Sequence, residues 1–239
     1  MAIRVFKRYE KKYLVSEEQL KAMLPEIEQY MDADAYSTDG KRYSIYNIYY
    51  DTENYDLIRK SMDRPYYKEK FRLRAYEPFG DGDRRVYMEM KKKIGGVVSK
   101  RRTAAKLSDA VEFIENGVRP ETKKPVEKQV LNEMEYFMSL NALKNALFIS
   151  YERMAFFGKE DKELRVTFDC RINARKERVF SDDTEGNVSL LEDGKYIMEV
   201  KVSDAIPYWL TELMTRHGVR KVSFSKYGTA YAMGLCGRA

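Results

Sequence analysis

The stretch "RVYMEMKKK", residues 85–93, decides how the rest of the chain is read. Taken as a β-strand, it alternates. Tyr87, Glu89 and Lys91 point to one side, Met88 and Met90 to the other. A half-buried strand normally sets its apolar side on a core and its charges in water. The question is whether this charged side meets solvent or lines an interior.

The same two-faced pattern recurs along the sequence. Arg8, Glu10 and Lys12 share a side of "FKRYEKKY". Lys70, Arg72 and Arg74 oppose Phe71 and Leu73 in "YKEKFRLRAY". Lys100 and Arg102 share a side of "VVSKRR", and Tyr151 and Arg153 alternate with Ser150, Glu152 and Met154 in "ISYERMAF". Arg165, Thr167 and Asp169 oppose Val166 and Phe168, while Glu199 and Lys201 oppose Met198, Val200 and Val202. Basic residues outnumber acids on the charged side.

Composition sets the bounds. The 239 residues are 44% hydrophobic and 34% charged, enough for a sizeable core and unlike a disordered chain. The net charge of +6 suits an anionic partner without choosing one. Cys170 and Cys236 are too few for a disulfide scaffold or a metal cluster, which favours a reducing compartment. His217 is the only histidine, so histidine triads and histidine-rich metal sites are excluded. Its place in "TRHG" makes it a surface or helix-end residue. No run approaches the ~18 apolar residues of a membrane span. The N-terminus has no apolar signal region. The chain is expected to be soluble and cytoplasmic, and a single domain over 1–239.

Strands are predicted at 5–14, 44–51, 66–77, 84–93, 97–106, 147–157, 163–170 and 196–203, with a weaker one at 176–180. Helices are predicted at 16–31 with Ser16 as N-cap, at 107–117 ending on Gly117, and at 125–143 starting with Pro125. Two more cover 204–218 and 225–237. Each has an apolar stripe that needs a surface to cover.

Two architectures satisfy this α+β pattern. One is an open sheet with helices on its apolar side and water on its charged side. The other is an eight-stranded antiparallel barrel turned inside out, with helices outside and a charged tunnel within; about eight strands suffice to close one. An empty basic tunnel is self-repelling, so it would imply a polyanionic ligand. Arginine grips phosphate oxygens bidentately and lysine adds compact charge. A carboxylate two residues from a lysine, as in "EMK" and "EVK", suits such a place if it holds a divalent cation against phosphate.

In order and spacing, "RYEKKYLV", "IYYDTENYDLI", "KFRLRAY", "VYMEMKKK", "SKRR", "SYERMAF", "LRVTFD", "YIMEVKV" and "VSFSKYGTAY" resemble the polyphosphate polymerase domain of the vacuolar transporter chaperone (VTC) proteins. That family is a branch of the triphosphate tunnel metalloenzymes, also called CYTH-like. The resemblance covers most of the chain and implies the eight-stranded tunnel. It implies phosphate-binding, catalytic roles for Lys12, Arg72, Arg74, Lys91, Lys100, Arg153, Arg165, Lys201 and Lys226. Arg8, Arg102, Lys221 and Ser225 would add substrate contacts. Glu199 would hold the metal, Mn²⁺ or Mg²⁺; the alternative metal ligands are Glu10 and Glu89. Arg8 stands where the wider superfamily carries the first glutamate of "ExExK", and Ser223 stands where a lysine is sometimes found. The phosphate-sensing and membrane-spanning segments of the eukaryotic proteins are not seen in this sequence, so the chain is expected to be a stand-alone catalytic domain or one whose membrane partner is another chain.

The resemblance implies transfer of the γ-phosphate of ATP to polyphosphate, with pyrophosphate or short polyphosphate as primer. Two other functions stay open: a triphosphate hydrolase and a non-catalytic polyphosphate-binding module. Nucleic acid is not expected, because the basic residues are threaded through strands without a stacking platform.

Overall fold

The computed structural model describes residues 9–37, 40–63, 65–80, 82–95 and 97–236. Among them lie eleven strands and six helices, and the fold is mixed α+β. Eight strands are long: β1 (Tyr9–Ser16), β3 (Tyr43–Asp51), β4 (Tyr67–Ala75), β5 (Arg85–Ile94), β6 (Val97–Lys106), β7 (Lys144–Gly158), β8 (Arg165–Arg175) and β10 (Lys195–Val202). Each coincides with one of the eight expected. Three are short additions: β2 (Met31–Ala33), β9 (Val188–Ser189) and β11 (Arg220–Lys221). The weaker strand expected at 176–180 is instead a turn, in which Arg175 bonds the carbonyls of Arg178, Ser181 and Asp183.

The chain forms two compact units. The first comprises the segment ending at Ser44 together with Tyr151–Ile172 and Leu191–Ser225. Its strands run in the order β11-β1-β10-β8-β7, and β2 also pairs with β7. The second comprises Ile45–Ser150, Asn173–Leu190 and the segment from Lys226. Its order is β7-β3-β4-β5-β6, with β9 on the end of β8. The hydrogen-bonded order has two ends, β11 and β6, so the ladder is open where the expected ring would be closed. β1 pairs antiparallel with β10 and β11, β8 with β10 and β9, β2 with β7, β3 with β4, β4 with β5, and β5 with β6.

In the second unit the apolar sides of β4 and β5 set the core. Phe71, Leu73, Met88 and Met90 are fully buried. They join one cluster with Phe113 and Ile114 of α3 (Leu107–Asn116) and Leu131, Met134 and Phe137 of α4 (Pro125–Leu140). Each such side chain contributes about 1.5–3 kcal/mol. Gly117 ends α3 at φ 73, a conformation that costs glycine nothing, and Pro125 opens α4. In the first unit Val166, Phe168, Met198 and Val200 meet Leu20, Met23 and Ile27 of α1 (Glu17–Tyr30). Leu210, Leu213 and Met214 of α5 (Tyr208–Arg216) complete that cluster. His217 is the C-cap of α5, and its carbonyl accepts from Gln19 Nε2 at 2.7 Å.

Two short helices complete the chain. α6 (Lys226–Ala232) falls inside the expected span, whereas α2 (Asp56–Met62) was not expected from the sequence. No helix among the described residues is long and apolar enough to cross a membrane.

Ser16 heads α1 through a capping box. Its hydroxyl accepts from Gln19 N–H at 3.2 Å, and Gln19 Oε1 accepts from Ser16 N–H at 2.8 Å. Ser16→Ala should cost about 1 kcal/mol. In a chain of this size that lowers the melting midpoint by about 2–4 °C, measurable by calorimetry.

Candidate functional site

The charged sides of β4 and β5 are largely withdrawn from solvent. In the second unit Glu89 is 0% exposed, and Arg72 and Arg74 are 7% exposed each. β5 is therefore buried on both sides, with methionines against helices and a glutamate among cations. Register explains the grouping: Glu89 lies opposite Arg72 on β4 and opposite Arg102 on β6.

Four cations converge on this one carboxylate. Arg72 donates through Nε at 2.9 Å and Nη2 at 2.6 Å to Glu89 Oε2. Arg74 Nε lies 3.8 Å from the same oxygen. Lys100 Nζ is 2.7 Å and Arg102 Nε 3.4 Å from Oε1. Burying a lone carboxylate costs several kcal/mol, which a single partner often fails to repay. Here burial, which would raise the Glu89 pKa, is outweighed by Arg72, Arg74 and Lys100, and the carboxyl is held far below its usual range.

The cations are held from their other sides too. Arg72 Nη1 donates to Tyr49 Oη at 3.0 Å, and Arg74 Nε to Asn47 Oδ1 at 3.0 Å. Asn47 is in turn fixed by donating to the Ile149 carbonyl at 3.1 Å. Tyr49 stacks on Tyr227, whose hydroxyl donates to buried Asp51 at 2.8 Å. Asp51 also accepts from the backbone N–H groups of Leu57 and Ile58, which anchors α2. Lys70 and Lys91 face each other across β4 and β5, and Lys91 lies opposite Lys100. The result is a preorganised excess of positive charge around one buried carboxylate.

The first unit carries a different pattern. Glu10 lies opposite Lys201 and Lys12 opposite Glu199, so β1 and β10 form a checkerboard of charge. Lys12 Nζ is 3.3 Å from Glu10, and Lys201 Nζ is 2.7 Å from Glu199. Burial opposes the Lys12 charge, but Glu199 and Glu10 outweigh it and raise its pKa. Lys12 also donates to the Phe224 carbonyl at 3.1 Å, which ties it to the "SFS" segment ending at Ser225. On β8, Thr167 faces Glu199 and Arg165 faces Lys201. Arg153 grips Asp169 with Nε at 2.6 Å and Nη2 at 2.8 Å; both are buried. Burial disfavours the Arg153 charge, yet Asp169 keeps it firmly protonated.

A VTC domain model matches residues 7–234. The chain belongs to the VTC domain family. No curated protein matches its sequence. Two solved structures share the fold, each with a TM-score of 0.52. One is a Bacillus halodurans protein provisionally assigned as an adenylate cyclase, 14% identical, covering 92% of this chain and 95% of its own. The other, HpAC1 from Hippeastrum, is described as an adenylyl cyclase candidate with a dominant triphosphatase activity; it is 15% identical, covering 95% and 96%. At these identities the likeness is one of fold.

Within this VTC domain, Arg72, Arg74, Glu89, Lys100 and Arg102 come together in the second unit, with Lys91 on the same face and Lys226 opening α6. Lys12, Glu10, Glu199, Lys201, Arg165 and Arg153 lie on the charged strands of the first. Lys221 does not join them: it pairs opposite Tyr13, on the face away from Lys12, and is exposed. Arg8 lies outside the described residues. The sequence assigns no role to Asn47, Asp51 or Asp169, whereas the tyrosines of "YNIYYDTENY" read as packing and hydrogen-bonding residues, as Tyr49 is. The alternation Asn47, Tyr49, Asp51 along β3 was the available signal.

Among the described residues no three histidine, cysteine, aspartate or glutamate side chains cluster to form a closed metal cage. Glu199 with Glu10 fits the other kind of site, in which one or two carboxylates share a hard cation with phosphate oxygens. Glu89 does not fit a metal, since its oxygens already face four cations.

Burial and the neighbouring Arg74 and Arg72 lower the Lys100 pKa to about 8, against the pull of Glu89. The unfolded value is about 10.4, so stability from this group rises with pH between the two values while the face loses charge. Affinity for inorganic tripolyphosphate should therefore fall between pH 7 and pH 9 by more in the wild type than in Lys100→Arg. Calorimetric titration at both pH values measures the difference.

Proposed function

We propose that this VTC domain is a metal-dependent polyphosphate polymerase that transfers the γ-phosphate of ATP to a growing polyphosphate chain held on its charged strand faces. The observation that carries the reading is the excess of cations around buried Glu89, a constellation suited to a polyanion. Arg72 and Arg74 are already oriented by Glu89, Tyr49 and Asn47, so little order has to be gained when phosphate binds.

The chemistry asks little of the side chains. The terminal phosphate of a polyphosphate chain is anionic near neutral pH and can attack the γ-phosphorus without a strong base. The residues bind, orient and neutralise. Lys12, Lys201, Arg153 and Arg165 would hold phosphate oxygens in the first unit, and Lys91, Lys100, Arg102 and Lys226 would do so in the second. Ser225 would add a hydroxyl contact. Glu199 would hold Mn²⁺ or Mg²⁺, with Glu10 as a second carboxylate. A bound divalent cation supplies charge neutralisation and polarisation of the phosphoryl group. Glu89 would act as the counter-ion that positions arginine.

The rival reading is a triphosphatase, the activity named for the Hippeastrum protein. A hydrolase needs a carboxylate with a lone pair to spare for water. The carboxylates that could serve are Glu10 and Glu89: Glu10 lies 3.3 Å from Lys12 Nζ and Glu89 faces four cations, while Asp169 is engaged twice by Arg153. That supports an anionic acceptor over activated water.

Purified protein given ATP, Mn²⁺ and a pyrophosphate primer should release ADP and make a phosphate ladder resolvable on a gel. Glu199→Gln should lower turnover by orders of magnitude while metal-free tripolyphosphate binding persists. Matching ADP and orthophosphate without a ladder would make the protein a triphosphatase. No ADP with either metal would leave a binding module.

A further inference from the structure

The outer ends of β4 and β5 pair their charges differently on their two sides. On the helix side Lys92 lies opposite Glu69, with Nζ 3.4 Å from the carboxylate. Opposite charges across neighbouring strands are stabilising, and like charges directly opposite are destabilising. On the other side, the rows beyond Glu89 set like charges against each other. Lys70 lies opposite Lys91, and Lys91 opposite Lys100. One row further out, Lys68 lies opposite Lys93. All five lysines share the side of Glu89 by alternation, and Glu89 is the one carboxylate on that side of β4, β5 and β6.

Solvation alone does not account for this side, since a surface that only needs water mixes both signs. Lys93 is exposed and Lys68 half-buried, so the outer row is open to a ligand. Lys68 Nζ donates to the Ser61 carbonyl at 3.2 Å, a bond that holds the ammonium without cancelling its charge. Lys70 Nζ lies 5.9 Å from the centre of the Tyr227 ring, another neutral neighbour. The outer row is four residues along β5 from Glu89, a distance of about 13 Å. The two P–O–P links of a triphosphate do not reach that far. An anion that neutralises both lysine rows and the Glu89 cluster is therefore a chain of more than three phosphates.

We propose that Lys68 and Lys93 form an outer subsite for the chain of a polyphosphate, reached from the Glu89 cluster over Lys70, Lys91 and Lys100. The inference rests on the polyphosphate reading above and gives it a direction: the chain leaves the Glu89 cluster toward the β5–β6 turn at Gly95. It also separates two ligands of one chemistry, because a triphosphate at the cluster ends before the outer row and a longer chain does not.

The probes are inorganic tripolyphosphate and a size-fractionated polyphosphate several times longer, each titrated calorimetrically with a chelator present at about 0.15 M ionic strength. Exposed charges are screened over about 8 Å there, so the outer row acts on the longer chain and little on a triphosphate at the cluster. The double variant Lys68→Gln with Lys93→Gln should bind the longer chain about fivefold more weakly, the loss expected for two partly solvated ion contacts. It should bind tripolyphosphate within about 1.5-fold of wild type. Lys93→Gln alone, which leaves the Lys68 bond to Ser61 in place, should cost the longer chain about twofold. Lys68→Arg with Lys93→Arg keeps the charge and should hold both affinities within about twofold. An equal loss for both probes overturns the inference, because the two lysines then act only through the general field of the domain. No loss for the longer chain overturns it as well. Wild-type protein that binds neither probe overturns the polyphosphate reading itself, and that failure shows in the control before any variant is compared.

Discussion

One buried carboxylate organises the basic face of the second unit. Glu89 sits at zero exposure with Arg72, Arg74, Lys100 and Arg102 around it. Without it, two buried guanidiniums would repel each other and face an uncompensated desolvation cost. With it, four positive charges meet one negative, so the cluster is tolerable when empty and still short of negative charge. That residual shortage is what makes a polyanion a fitting ligand. The helices make the arrangement affordable by burying Met88 and Met90 on the other side of the same strand.

The first unit reaches a different balance. Its checkerboard of Glu10, Lys12, Glu199 and Lys201 is neutral by count, and Arg153 and Asp169 cancel. Arg165 supplies the positive excess there.

Much of this was legible in the sequence because a strand's alternation reports both of its sides. The parity of Glu89 against Met88 and Met90 located the charged face, and seven such patterns located seven of the eight long strands, β3 being placed by its tyrosines and isoleucines instead. Ser16, Gly117 and Pro125 marked helix ends through local rules that tertiary structure did not override. Three things were not legible. The helix α2 is seven residues long and depends on Asp51, a strand residue that accepts from two of its N–H groups. The grip of Arg153 on Asp169 joins residues of neighbouring strands, and no local pattern announces it. Lys221 seemed close to the phosphate residues in sequence, but its register opposite Tyr13 turns it away.

Glu89 acts here as the counter-ion that holds the cations in place, its oxygens already facing four of them. Urea unfolding of Glu89→Gln at neutral pH, with and without inorganic tripolyphosphate and free of divalent metal, tests it most directly. The account predicts a loss of about 3 kcal/mol without the anion, as when one partner of a buried ion pair is removed. It also predicts that tripolyphosphate recovers most of that loss, because an external anion replaces the missing charge. A loss below about 0.5 kcal/mol, the range of an ordinary surface substitution, would contradict it.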